Sequence, residues 1–148
     1  MSAKKPTKKN ATKAVVFGPL QYAATKFAVA VSMMAVSELP MRERIHEAYR
    51  EFAPAMFFAK GMPERLGAGL KALVARMSWA ENKDGRGTLP ATLALISDVE
   101  CRRIARMITD LSCDLESALA RAYQDEAVER AVRDERARVR AKAKRGAN

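Results

Sequence analysis

From Asp98 to Arg145 the chain contains neither glycine nor proline. An unbroken α-helix over that stretch would reach roughly 70 Å at about 1.5 Å per residue, longer than the rest of such a domain is wide. Ser97-Asp98-Val99-Glu100 supplies a capping box at its start. Cys101, Ile104, Ile108, Leu111, Leu115, Ala118 and Ala122 then keep a seven-residue repeat, the pattern of a seam packed against other helices. Past Tyr123 the seam thins to Val128, Val132 and Val139 amid dense charge. The final third is therefore expected to project as a solvated, partly frayed arm.

The preceding residues read as shorter helices. Pro19 suits a first turn, and Leu20, Ala24, Phe27, Val31 and Met34 recur at helical steps, which predicts a helix from about Pro19 to Val36. Ser37, Glu38 and Pro40 mark a stop and restart. A second helix carries Met41, Ile45, Ala48 and Phe52 on one face, with charged residues outside. Pro54 ends or kinks it, and Ala55–Lys60 forms a short apolar turn closed by Gly61. Pro63 opens a third helix with Leu66, Leu70, Leu73 and Met77 inward. Gly67 and Gly69 inside it imply a close approach or a kink. Residues 81–88 form the one clear long loop, and Thr88 and Pro90 start a short helix through Leu93 and Ile96. No internal repeat and no strand alternation is visible. The fold class is all-α: a bundle of about five helices with a long C-terminal helix and basic disordered tails.

Charge is distributed unevenly. Of 27 cations, six lysines fall in residues 1–26 and six Lys or Arg in 136–148, and neither stretch holds an acid. All 17 acids therefore lie in a nearly neutral middle. The chain divides accordingly into a basic disordered tail at 1–16, a helical bundle domain at 17–135 and a basic C-terminal helix end or tail at 136–148. Basic extensions on a neutral body suit sequence-independent contact with phosphates. The plainer reading is that the cations serve solubility. Among the tails, Lys4, Lys5, Lys8, Lys9 and Lys13 are the expected N-terminal contacts. Arg133, Arg136, Arg140 and Lys144 form a stripe at steps of three and four. Arg102 and Arg106, with Arg103 beside them, form another basic face turned away from the seam. Guanidinium groups grip phosphates through paired hydrogen bonds, whereas the alternative is a solvated face with internal ion pairs.

Catalytic signals are weak. The one histidine, His46, sits among Glu43, Glu47 and Arg50 and reads as a surface salt-bridge partner. Two cysteines and a remote histidine do not make a metal site. Cys101 and Cys113 are about 18 Å apart on one straight helix, so reduced thiols are expected. There is no phosphate-cradling glycine loop, no helix-turn-helix pattern and no zinc knuckle. Neither enzyme activity, cofactor nor metal is implied. The apolar run from Ala14 to Val36 is interrupted, and Phe27–Val36 is about half the length needed to span a bilayer. A cytoplasmic location is the expectation.

Two segments resemble the small helical subunit of multi-subunit CRISPR effector complexes, closest to that of the RNA-targeting type III complexes. Gln21-Tyr22-Ala23-Ala24-Thr25-Lys26 leading to Val31 is similar to that family's opening helix. Pro54-Ala55-Met56-Phe57-Phe58-Ala59-Lys60-Gly61-Met62, followed by Leu66, is similar to its proline, apolar run, glycine and leucine passage. Gly67, the loop at 81–88 and both basic tails depart from the pattern. The resemblance implies a non-catalytic subunit that stacks with copies of itself along a guide–target duplex, its basic surface supporting the backbone. RNA or DNA, other protein subunits and copies of itself are the expected partners, with no membrane among them. The competing expectation is a helical adaptor or scaffold of a phage, plasmid or secretion system that uses the long helix as a coiled coil. A third class is a peripheral protein whose basic tails meet anionic lipid.

Overall fold

The computed structural model describes the backbone of residues 8–146 and the side chains of residues 17–143. It contains five α-helices: α1 (Lys8–Val36), α2 (Met41–Phe52), α3 (Glu64–Met77), α4 (Thr88–Leu95) and α5 (Asp98–Gly146). A 3₁₀ segment, Ala53–Gly61, links α2 to α3. No strand occurs among the described residues. The expected all-α bundle with a long C-terminal helix is what the chain forms.

Cross-chain contacts set the helix directions. Phe17 of α1 meets Tyr123 of α5 edge-on, with ring centroids 4.6 Å apart. At the opposite end, Arg42, just after α1, bonds the Ile96 carbonyl and Asp98 at the start of α5. α1 and α5 therefore run antiparallel. α3 also opposes α5: Arg65 reaches Asp114 at 2.8 Å, and Arg76 reaches Glu100. α2 folds back on α1, bringing Phe27 and Phe52 to a centroid distance of 4.7 Å.

The core follows the predicted faces except at Met41, which is exposed at the start of α2. Leu20, Phe27, Ile45, Phe52, Leu70, Leu73, Met77, Ile104, Ile108 and Leu115 are almost fully buried. Each such side chain contributes about 1.5–3 kcal/mol relative to exposure. Alanines at 23, 24, 30, 48, 55 and 59 are buried too and let the helices lie close with few aromatics.

Two arginines close the corners of the bundle. Arg44 donates to the Met34 carbonyl at the C-terminal end of α1 and to the Leu39 carbonyl in the link to α2. Arg42 donates to the Ile96 carbonyl through both terminal nitrogens at 3.0 Å, anchoring the α4–α5 corner on α2. A third link is buried. Thr92 Oγ1 donates to the Thr88 carbonyl at 2.8 Å and accepts from the Ala80 amide at 3.0 Å, tying the end of the α3 region to α4. Orphaned helix-end carbonyls need such partners when water is excluded.

Three local expectations are corrected. The first helix does not begin at Pro19. It begins at Lys8 and runs through that proline. Nothing between Lys8 and Phe17 breaks a helix, so α1 extends through Pro19 with the loss of the one ladder bond a proline cannot make. Helix thus reaches into the segment 1–16 expected to be disordered. Residues 1–7 lie outside the described ones. At Ser97, one half of the capping box forms, since its Oγ accepts from the Glu100 amide at 3.2 Å. The Glu100 carboxylate turns instead to Arg76 and Arg103. His46, expected in a surface ion pair, has none among the described residues and is half-buried.

Gly67 is resolved as a close approach. A Cβ there would lie 2.5 Å from the Ala59 carbonyl oxygen, which is backbone and cannot swing aside. Beside Gly69, by contrast, a Cβ would meet the Leu111 side chain at an ordinary 3.5 Å. Gly67 therefore lets α3 lie directly on the 3₁₀ segment. Gly67→Ala is expected to destabilise the fold by about 1–3 kcal/mol through overpacking, while Gly69→Ala is tolerated. Urea melts of the two variants measure the difference.

Candidate nucleic-acid interface

The antiparallel arrangement of α1 and α5 has a direct electrostatic result. The start of α1 and the end of α5, the two lysine- and arginine-rich ends of the sequence, leave the bundle on the same side. α5 packs as far as Ala122 and Tyr123, and from Gln124 to Ala143 every side chain is exposed. This arm extends roughly 30 Å beyond the body at about 1.5 Å per residue. It holds helical form with little packing. Alanine at 127, 131, 137 and 141 has high helix propensity, and Arg130 pairs with Glu126 at 3.2 Å one turn back.

The arginine stripe occupies a particular face of the arm. Arg136 falls on the seven-residue steps that begin at Cys101 and pass through Ile108, Leu115 and Ala122. Arg133 and Arg140 flank it one turn to either side. Beyond the body the same seam positions hold Asp125, Glu129, Val132, Arg136 and Val139, so the face becomes mixed, and the arginine stripe runs along one edge of it. Arg133, Arg136 and Arg140 are exposed and carry no ion pair among the described residues. Arg138, off the stripe, sits 3.9 Å from Glu135. The acids Asp125, Glu126, Glu129, Asp134 and Glu135 lower the net charge of the arm's first half, so its cationic character is concentrated beyond Arg136.

The second predicted group lies elsewhere. Arg102, Arg103 and Arg106 are exposed in the first turns of α5, at the opposite end of the bundle. About 45 Å of helix separates Arg106 from Arg136. One rigid patch including both groups does not exist. Arg103 is moreover engaged, its guanidinium 3.5 Å from Glu100, which also binds Arg76. Arg102 and Arg106 have no ion pair among the described residues. Of the N-terminal group, Lys4 and Lys5 lie outside the described residues. Lys8, Lys9 and Lys13 belong to α1 by backbone, but their side chains, like that of Lys144, also lie outside them.

Sequence reasoning missed an aromatic element beside the cationic end. Phe57, in the 3₁₀ segment, is 88% exposed. Phe58 beside it is also exposed and meets Tyr22 of α1 at a ring-centroid distance of 5.0 Å. The signal lay in the Phe-Phe pair between two prolines, read from sequence only as an apolar turn. A second exposed apolar region lies at the other end of the bundle. Trp79, 59% exposed, and Leu95, 67% exposed, border a shallow groove with Ala91 and Ala94.

Cys101 is buried and Cys113 exposed, and neither forms a disulfide. Burial pushes the Cys101 thiol up, keeping it protonated. The described residues contain no group of three or more His, Cys, Asp or Glu able to hold a metal ion. Among them no helix is long and apolar enough to cross a membrane. The fold and surface together define an all-α bundle with an exposed basic arm. Comparison with protein-family models, with curated proteins and with solved structures finds no match to this chain.

The Glu100 cluster yields a test with a definite sign. The hydrogen bond from Arg76 above all, with the charges of Arg76 and Arg103, holds the Glu100 carboxyl below the ordinary value of 4.5. A carboxyl with a depressed folded-state value adds stability at neutral pH, and that contribution disappears as pH falls through the folded value. The urea midpoint of the native chain is therefore expected to decline below about pH 5 more steeply than that of Glu100→Gln. Identical pH profiles for the two would show that the cluster is energetically silent.

Proposed function

We propose that this chain is a non-catalytic subunit of a larger ribonucleoprotein assembly, binding nucleic-acid backbone without reading sequence. The observation that carries the reading is the emergence of both basic helix ends from one side of the bundle, with Arg133, Arg136 and Arg140 exposed and without ion pairs among the described residues. Each phosphate neutralised by such a cation releases condensed counterions, giving an affinity that falls steeply with salt. An extended helix presenting guanidinium groups follows a backbone and makes no demand on base identity. The resemblance of residues 21–31 and 54–66 to the small subunit of type III CRISPR effector complexes supports the same role. In that reading the chain is a cytoplasmic component of antiviral defence that works beside other subunits and copies of itself. Arg102 and Arg106, without ion pairs among the described residues, form a separate phosphate contact in this reading.

Replacing Arg133, Arg136 and Arg140 together by alanine preserves helix propensity and removes three cations. The slope of log affinity against log salt, measured with a fluorescent oligonucleotide, is expected to become shallower by about 2–3. Helical circular dichroism should stay unchanged. An unaltered slope would remove the stripe from the interface.

A second reading, a protein–protein adaptor, is favoured by the exposed Trp79 and Leu95. It cannot use the seam of α5 as a free coiled coil over its first half, because Cys101, Ile104, Ile108, Leu111 and Leu115 are buried in the chain's own core. Native purification without nuclease separates the two readings. Nucleic acid of defined length co-eluting with the protein is expected under the first. Associated polypeptides lost on Trp79→Ala, with no nucleic acid present, are expected under the second.

A further inference from the structure

We propose that the surface formed by Phe57, Phe58 and Tyr22 is a stacking platform for unpaired bases, so that the nucleic acid engaged at this end of the bundle is single-stranded. The inference rests on the backbone-binding reading above and deepens it by naming the form of the ligand. Its first support is the exposure of Phe57. A fully solvated phenylalanine forfeits about 1.5–3 kcal/mol of burial, and here it is held out by a rigid element. Pro54 fixes the first turn of the 3₁₀ segment, Ala55 and Ala59 on its inner side are buried, and Gly67 brings α3 directly against the Ala59 carbonyl. Phe57 therefore cannot fold inward without dismantling that packing.

The second support is the charge beside it. In a 3₁₀ helix residues three apart eclipse one another, which places Lys60 directly above Phe57 on the outward face. Lys60 is exposed and has no ion pair among the described residues. A flat apolar ring with an ammonium one turn away matches the repeating unit of a single strand, a base followed by a phosphate. Phe58 against Tyr22 extends the platform onto α1. Tyr22 lies within a shallow groove on α1 lined also by Gly18, Gln21, Thr25 and Lys26, and its Gly18 end faces the side where the basic helices emerge. Nothing lies within 4 Å in front of Gly18, so a backbone can pass there. Lys26 is held by Glu51 at 3.2 Å and contributes little net charge. The cationic draw comes from Lys60 at one end and the helix ends at the other. A duplex, whose bases are already stacked, offers the platform nothing. A single strand gains both stacking and phosphate contact.

The test measures binding of the full chain to a short labelled oligothymidylate, to a duplex of the same length, and to a strand of the same length whose sites are abasic. The native protein is expected to bind the oligothymidylate more tightly than either of the others. Phe57→Ala is expected to weaken oligothymidylate binding about ten-fold or more. It should leave the abasic strand, the duplex and the salt slope unchanged, because the phosphate contacts remain. Phe57→Leu should behave like Phe57→Ala, since leucine keeps apolar area and loses the flat ring. Both substitutions are at a solvated position, and unchanged thermal melts verify folding. Oligothymidylate affinity equal to native in both variants, with the native protein indifferent to abasic sites, would overturn the platform and leave Phe57 as a protein contact. That result would not touch the backbone-binding reading, which falls only if the native chain ignores all three probes at low salt.

Discussion

The burial of one face of α5 is the constraint on which the rest of the molecule depends. Cys101, Ile104, Ile108, Leu111 and Leu115 are covered by α1, α2 and α3. Because the chain returns along this face, α1 and α3 must run against α5. The antiparallel order then decides where every peripheral group ends up. The corner clamps made by Arg42 and Arg44, and the buried Thr92 hydroxyl, close the connections that this order requires.

The same constraint produces the polarity of the molecule. Packing ends at Tyr123, yet nothing in the sequence stops the helix there, so α5 continues into solvent as a charged arm whose cations gather from Arg136 onward. The start of α1 is carried to the same side. An even mixture of charges along the chain would have made this geometry inconsequential. Concentration of the acid-free cationic stretches at the two ends converts it into a bundle with one basic side and an aromatic surface next to it. Any long-range attraction to a polyanion would be directional as a result. The groove beside Trp79 and Leu95 lies on the opposite end, away from the basic side.

Much of this was legible from the residues. The absence of Gly and Pro after Asp98 foretold the long helix, the seven-residue repeat named its buried face, and Thr88 and Pro63 marked real helix starts. Gly67 and Gly69 were recognised as unusual, though only Gly67 sits against backbone. Pro19 misled because a proline signals a first turn only when the residues before it resist helix, and Lys8–Phe17 do not. Glu100 misled for a different reason: a capping carboxylate competes with any arginine that the tertiary fold brings near, and Arg76 of α3 prevailed.

What local sequence settles is periodicity, propensity and charge, which act within a few turns of helix and so can be read without knowing the fold. They prescribed the five helices, the solvated arm and the cationic ends. Which ends lie together, that Arg103 is occupied while Arg102 and Arg106 have no ion pair among the described residues, and that the Phe57–Phe58 pair faces solvent beside Tyr22 were decided only when distant segments packed. Contacts between Phe17 and Tyr123 or between Phe58 and Tyr22 join residues far apart in the chain. Their energies depend on helix direction and crossing, which no local pattern encodes.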